Sequence, residues 1–104
     1  MTAPPKILLA LWNTFCIPAP VAEHVFCDGR KWRFDYAFPK ERVAIEVQGG
    51  LWTGGRHTRG AALKKEHEKL NHAAMLGWRV LYCEPKELMG VQFAKQVAAA
   101  LKYK

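Results

Sequence analysis

Apolar residues recur every three or four positions near the start of the chain. Ile7, Leu8, Leu11 and Phe15, placed after Thr2, Pro4 and Pro5, predict a short helix that ends near Ile17-Pro18. The period then falls to two. Residues 21–27 and 31–38 read as strands separated by a turn at Asp28-Gly29, and a second turn at 39–42 leads into a third strand over 43–48. Five glycines and no acids mark residues 49–60 as a loop, long enough to be a substrate-contacting one. Helical spacing returns over 61–76, with Leu63, Leu70 and Ala74 on one face and Lys64, Lys65, Glu68 and Lys69 away from it, and Gly77 suits the helix C-cap. A fourth strand over 78–83, its Trp78 to Leu81 reading as core, and a closing helix from 93 or 94 through 101, with Ala94, Val97, Ala98 and Leu101 inward, complete an αβββαβα order. No repeat or linker interrupts it, so one domain is expected over residues 1–104.

The second and third predicted strands carry an unusual polar pair. In residues 32–38 the even positions are Trp32, Phe34, Tyr36 and Phe38, and the odd ones Arg33, Asp35 and Ala37. Residues 43–48 repeat the device, with Val43, Ile45 and Val47 against Ala44, Glu46 and Gln48. Matching the apolar faces across a turn centred on Lys40-Glu41 pairs Phe38 with Val43, Tyr36 with Ile45 and Phe34 with Val47. Asp35 then stands opposite Glu46. Two carboxylates facing each other at about 5 Å destabilise a sheet unless something offsets their repulsion. A bound divalent cation would do so, since Mg²⁺ takes carboxylate oxygens and water. The bland alternative is a solvated polar face with Arg33 as counter-charge. Glu23 is a third candidate: a three-residue turn at 28–30 sets it opposite Asp35, whereas a two-residue turn rotates it to the aromatic face.

Composition adds a partner class. Lys plus Arg outnumber Asp plus Glu by 16 to 9, a net charge of +7, which favours an anionic partner such as nucleic acid or serves solubility alone. Half the residues are hydrophobic, sufficient for a core without disulfides. Cys16, Cys27 and Cys83 are odd in number and show no C-x-x-C spacing, which fits a reducing cytoplasmic setting. The apolar stretch 7–12 is too short to span a bilayer, and neither export nor a membrane partner is expected.

Phe34-Asp35, followed after ten residues by Glu46-Val47-Gln48, resembles the D-x(n)-(D/E)-x-K signature of the PD-(D/E)XK nucleases. The wider run is more specific. Phe34-Asp35 with Pro39, Val47, Gly49-Gly50, Trp52 and Gly54, then Asn71 and Leu76-Gly77-Trp78-Arg79-Val80-Leu81, is similar to very-short-patch repair endonucleases and related small phage and bacterial members, over residues 34–81. The resemblance implies a restriction-endonuclease-like α/β core, a mixed four-stranded sheet flanked by helices. It implies Asp35 as bridging metal ligand, Glu46 as a second and the Val47 carbonyl as a third, with Mg²⁺, or Mn²⁺ in its place. Gln48 stands where most members carry Lys. It can orient a water but carries no charge, and Lys65 or Lys69 is the candidate replacement. The zinc ligands of the very-short-patch enzymes have no counterpart beyond His57. That residue is read either as a general acid or base or as an exposed or phosphate-contacting side chain.

The expected activity is metal-dependent hydrolysis of DNA phosphodiester bonds by an endonuclease. With no room for a separate recognition domain, it is expected to select branched or mismatched DNA, as in phage or bacterial repair and recombination. Arg56, Arg59, Lys64 and Lys65 suit backbone phosphates, with Lys69 and Asn71 as further DNA contacts. Asn71 and Glu68 also read as plain surface residues, and Trp52 as a base wedge or an anchor for its own loop. A homodimer would bring two sites to two strands. The alternatives are a catalytically inactive nucleic-acid-binding module of the same fold, favoured by Gln48, and a hydrolase of another phosphoester.

Overall fold

Residues 3–48 and 56–102 are described by the computed structural model, without the side chains of residues 56–59. The elements run α1 (Lys6–Thr14), β1 (Val21–Val25), β2 (Arg33–Phe38), β3 (Val43–Val47), α2 (Arg56–Met75), β4 (Arg79–Cys83), α3 (Pro85–Leu88) and α4 (Val91–Lys102). The fold is α/β, with a mixed four-stranded sheet in the order β1-β2-β3-β4. The first three strands are antiparallel; β4 lies parallel to β3 because α2 carries the chain back across the sheet before it re-enters. The short α3 is an addition to the expected order. Pro85 opens it, and the Glu87 carboxylate accepts a hydrogen bond from the Glu84 amide at 2.8 Å.

Both faces of the sheet are covered. On one, Phe38, Val43 and Ile45 pack with Leu8 and Trp12 of α1, Leu88 of α3 and Phe93, Ala94 and Val97 of α4. On the other, Phe34, Ala37 and Ala44 pack with Ala73 of α2 and with Trp78. Ala44 and Glu46 therefore do not form the solvated face that alternation suggested; both are buried. In α1 the anchors are Leu8 and Trp12, one turn apart, while Ile7, expected inward, is 70% exposed.

The β2–β3 register agrees with the sequence reading at two of its three pairs, Phe38 with Val43 and Tyr36 with Ile45. The third does not form, because the alternation of β2 breaks at Asp35. Tyr36 packs into the layer of α1 and α4, whereas Phe34 joins the layer of α2. Across from this break, Ala22 pairs with Tyr36 and His24 with Phe34, so Glu23 is set opposite Asp35, the register that a turn at 28–30 predicts, although the strands stop short of it, β1 at Val25 and β2 at Arg33. Glu23 has φ of 51°, a left-handed backbone that costs a non-glycine residue roughly 1–2 kcal/mol. The sheet is thus distorted on both β1 and β2, at Glu23 and at Asp35.

Helix α2 starts earlier than expected. Residues 56–60 are helical rather than part of the loop, and residues 49–55, with Trp52, lie outside the described residues. Its inward stripe also differs. Ala73 is buried and Lys69 turns toward the sheet, while Ala74 is exposed. Gly77, with φ of 85°, ends the helix as anticipated, and the Trp78 amide reaches back to the Ala73 carbonyl at 2.9 Å.

Candidate active site

Asp35 and Glu46 are tied to each other through the backbone. The Val47 amide donates to Asp35 Oδ2 at 2.7 Å, and the Asp35 amide donates to Glu46 Oε2 at 3.2 Å. Each carboxylate is thereby fixed by the strand that carries the other. The break in β2 makes this reciprocal arrangement available, since the Asp35 amide is spent on a side chain instead of continuing the β2–β3 ladder beyond Tyr36.

The two carboxylates have different surroundings. Glu46 faces α2 and is buried, and Lys69 Nζ forms an ion pair and hydrogen bond with its Oε1. The Lys69 ammonium also lies 5.5 Å from the centre of the Phe34 ring. Burial pushes the Glu46 carboxyl up to about 7, and the nearby Asp35 charge adds to the rise, against the opposing pull of Lys69 and of the Asp35 amide. Asp35, in contrast, lines an open cleft of about 320 Å³ together with Glu23, Tyr36 and Val47. Glu23 is paired across the hairpin with Arg33, Nη1 to Oε1 3.4 Å, so Arg33 neutralises Glu23 rather than Asp35. Burial and the Asp35 charge raise the Tyr36 hydroxyl, which stays protonated as a donor at the cleft.

Among the described residues no group of three His, Cys, Asp or Glu side chains is assembled as a ready metal cage. The available donors are the hard oxygens of Asp35 and Glu46, with Glu23 across the cleft. A magnesium ion asks for no more than one or two carboxylates and fills its remaining positions with water. Each carboxylate oxygen retains a second lone pair beyond the hydrogen bond it accepts, so the donor set fits such an ion.

The other anticipated residues are spread more widely. Gln48 lies beyond the end of β3, donates its amide to the Cys83 carbonyl at 2.8 Å, and lines a small depression of about 170 Å³ with Tyr82, Cys83, Glu84 and Glu87. That depression does not include Asp35 or Glu46. Lys64, Lys65, Glu68 and Asn71 are exposed on α2. Lys69, expected to point outward, is instead enclosed, its side chain 12% exposed. The side chains of Arg56, His57 and Arg59 lie outside the described residues. What the sequence reading missed is that Lys69 and Ala73, four apart, share the buried stripe of α2; tracing the stripe back from the Gly77 cap by fours would have found it. Compared with protein-family models, with curated proteins and with solved structures, the chain matches none.

Proposed function

We propose that this protein is a metal-dependent endonuclease hydrolysing DNA phosphodiester bonds, selective for branched or mismatched DNA in repair or recombination. The observation that carries the reading is the convergence of three side chains, Asp35, Glu46 and Lys69, around one break in the sheet. Two carboxylates and an ammonium in that arrangement are the charged groups of the motif that the sequence resembles, with Lys69 supplying from α2 the charge that Gln48 lacks. Asp35, on the open cleft, and Glu46 behind it would hold Mg²⁺ or Mn²⁺, with the Val47 carbonyl and Glu23 as further oxygens. The ion, when bound, acidifies a water and offsets phosphate charge.

The chain's own residues do the rest. The Val47 amide fixes the rotamer of Asp35, and Lys69 holds Glu46 while contributing positive charge beside a phosphate that enters the cleft. Tyr36, kept protonated, donates at the wall of the same cleft. Exposed Lys64 and Lys65, with Arg56 and Arg59 earlier on the same helix, bind backbone phosphates. Pairing of two chains would let two such sites address two strands.

A second reading, a nucleic-acid-binding module without catalysis, is favoured by the position of Gln48 in a separate depression and by the occupation of Glu46 by Lys69. Cleavage of supercoiled plasmid and of a four-way junction in Mg²⁺ or Mn²⁺ separates the two. Wild type should nick or linearise these substrates, and Asp35→Asn should lose at least about a hundredfold in rate while still binding DNA. Binding without cutting by either protein selects the module.

A further inference from the structure

A second concavity lies on the α2 layer of the sheet, away from the carboxylate cleft. It measures about 490 Å³ and is lined by His24 and Phe26 on the β1 side, by Arg42 from the β2–β3 turn, by Trp78 at the end of α2, and by Asp28. Three of these groups are aromatic rings, with Trp78 beside the other two: His24 lies 5.6 Å and Phe26 6.3 Å from it, centre to centre. Burial lowers the His24 pKa, so its ring is a neutral flat surface at neutral pH. Arg42 is exposed at the mouth, anchored by one N–H on the Leu76 carbonyl at 2.6 Å, with its guanidinium 5.9 Å from the Trp78 ring centre.

The Trp78 indole N–H is itself buried, with no hydrogen-bond partner among the described residues, so an occupant meets the faces and edges of the rings and not that N–H. Arg42 has φ of 57°, in the left-handed region that a non-glycine residue adopts only when its surroundings hold it there. An occupant that suits these walls should offer a flat face for the rings and negative charge for Arg42. A nucleobase with its own phosphate has both, and a cavity of this size accommodates one nucleotide. The net charge of +7 favours that occupant over an aromatic peptide side chain, which carries no phosphate.

We infer that the cavity of His24, Phe26, Trp78 and Arg42 receives a single unpaired nucleobase of the bound nucleic acid. The inference rests on the nucleic-acid-binding part of the function proposed above and identifies what the protein selects. It also explains how selection and chemistry are joined. His24 follows Glu23 in β1, and their β2 partners Phe34 and Asp35 are likewise adjacent, so the cavity and the carboxylate cleft open from successive residues of one hairpin. A base extruded to one side of the sheet would bring its neighbouring phosphate toward the other. Pairing a base back into a duplex would empty the cavity, which gives preference for bulged or mismatched sites without any reading of sequence.

The test uses the whole protein, without metal, and two labelled duplexes that differ only in one looped-out base. The bulged duplex should bind on the order of tenfold more tightly, consistent with stacking of one base. His24→Ala should reduce that ratio several-fold while the paired duplex binds as before. In the unmodified protein the Trp78 indole proton should shift in the nuclear magnetic resonance spectrum on adding the bulged duplex, through the ring current of a base stacked beside its ring. Trp12, whose indole N–H is also buried without a partner but lies in the other core layer, should not move. Equal binding of the two duplexes, or tight binding with the Trp78 proton unmoved or moving together with Trp12, overturns the inference. Cutting of the same duplexes after adding Mg²⁺ is scored separately. Cutting with no preference and no indole shift removes the base pocket and leaves the nuclease; a selective indole shift without cutting removes the nuclease and leaves the pocket.

Discussion

Glu46 is the residue on which the proposed chemistry turns, because it is the buried member of the pair. With its carboxyl raised to about 7 by burial, much of it is protonated in the metal-free protein at neutral pH. A metal ion needs the carboxylate, so binding must expel that proton. The sign follows: an acid whose pKa is raised loses metal affinity as pH falls below that value and reaches a plateau above it. Mn²⁺ affinity should therefore fall by about tenfold per unit below pH 7 and level off above about pH 8, with proton release measurable by titration calorimetry in two buffers. Lys69→Met removes the cation that opposes the rise and should move the midpoint upward. A pH-independent affinity would show that Glu46 is not a ligand. That Asp35 and Glu46 lie on neighbouring strands was legible in the sequence, from the register that pairs Tyr36 with Ile45 and Phe38 with Val43; their direct opposition was not met, because β2 breaks at Asp35 and the ladder stops at Tyr36. The burial of Glu46 was not legible, since a strand's pattern does not reveal which helix covers it.

At the scale of elements, the helix ends carry much of the specification. α1 terminates with the Cys16 amide on the Asn13 carbonyl at 3.0 Å and the Ile17 amide on the Trp12 carbonyl at 2.9 Å, while buried Ile17 packs into the core cluster of Leu8 and Trp12. Cys16 holds this turn at φ of 60°, the position at which glycine is preferred. Cys16→Gly should stabilise the protein by about 1 kcal/mol, or roughly 4–8 °C in Tm, as read by thermal and urea denaturation. Gly77 performs the same task for α2 with the residue that suits it, and was recognisable for that reason. The N-terminus of α2 was placed too late because residues 56–60 mix basic side chains with a glycine and show no apolar stripe, so their helicity comes from continuity with the turns that follow. The break in β2 had no local signal either. A chain of alternating aromatic residues looks regular, and only the opposing strand, with the left-handed Glu23, shows that Phe34 and Tyr36 belong to different layers.

Across the whole molecule, a sheet covered on both faces leaves its ionisable pair buried on one side and open on the other, with basic residues exposed on α2. No helix among the described residues is long and apolar enough to cross a membrane. If Arg56, Arg59, Lys64 and Lys65 each neutralise one phosphate, the logarithm of duplex affinity should fall with the logarithm of salt concentration at a slope of about −3 to −4. Replacing Lys64 and Lys65 by Ala should reduce that slope by about two units without altering the Asp35–Glu46 pair, and filter binding across a salt series would measure it. An unchanged slope would place the DNA elsewhere on the molecule.

The amino-acid order by itself determined which residues alternate, where turns and caps fall, and that Asp35 and Glu46 meet on neighbouring strands, because these follow from the short-range geometry of the backbone. Tertiary structure alone decided that Lys69 closes on Glu46, that Phe34 changes layer, and that His24, Phe26, Arg42 and Trp78 enclose a cavity. Those contacts join elements far apart in the chain, and their formation depends on how the layers stack, which no local periodicity encodes.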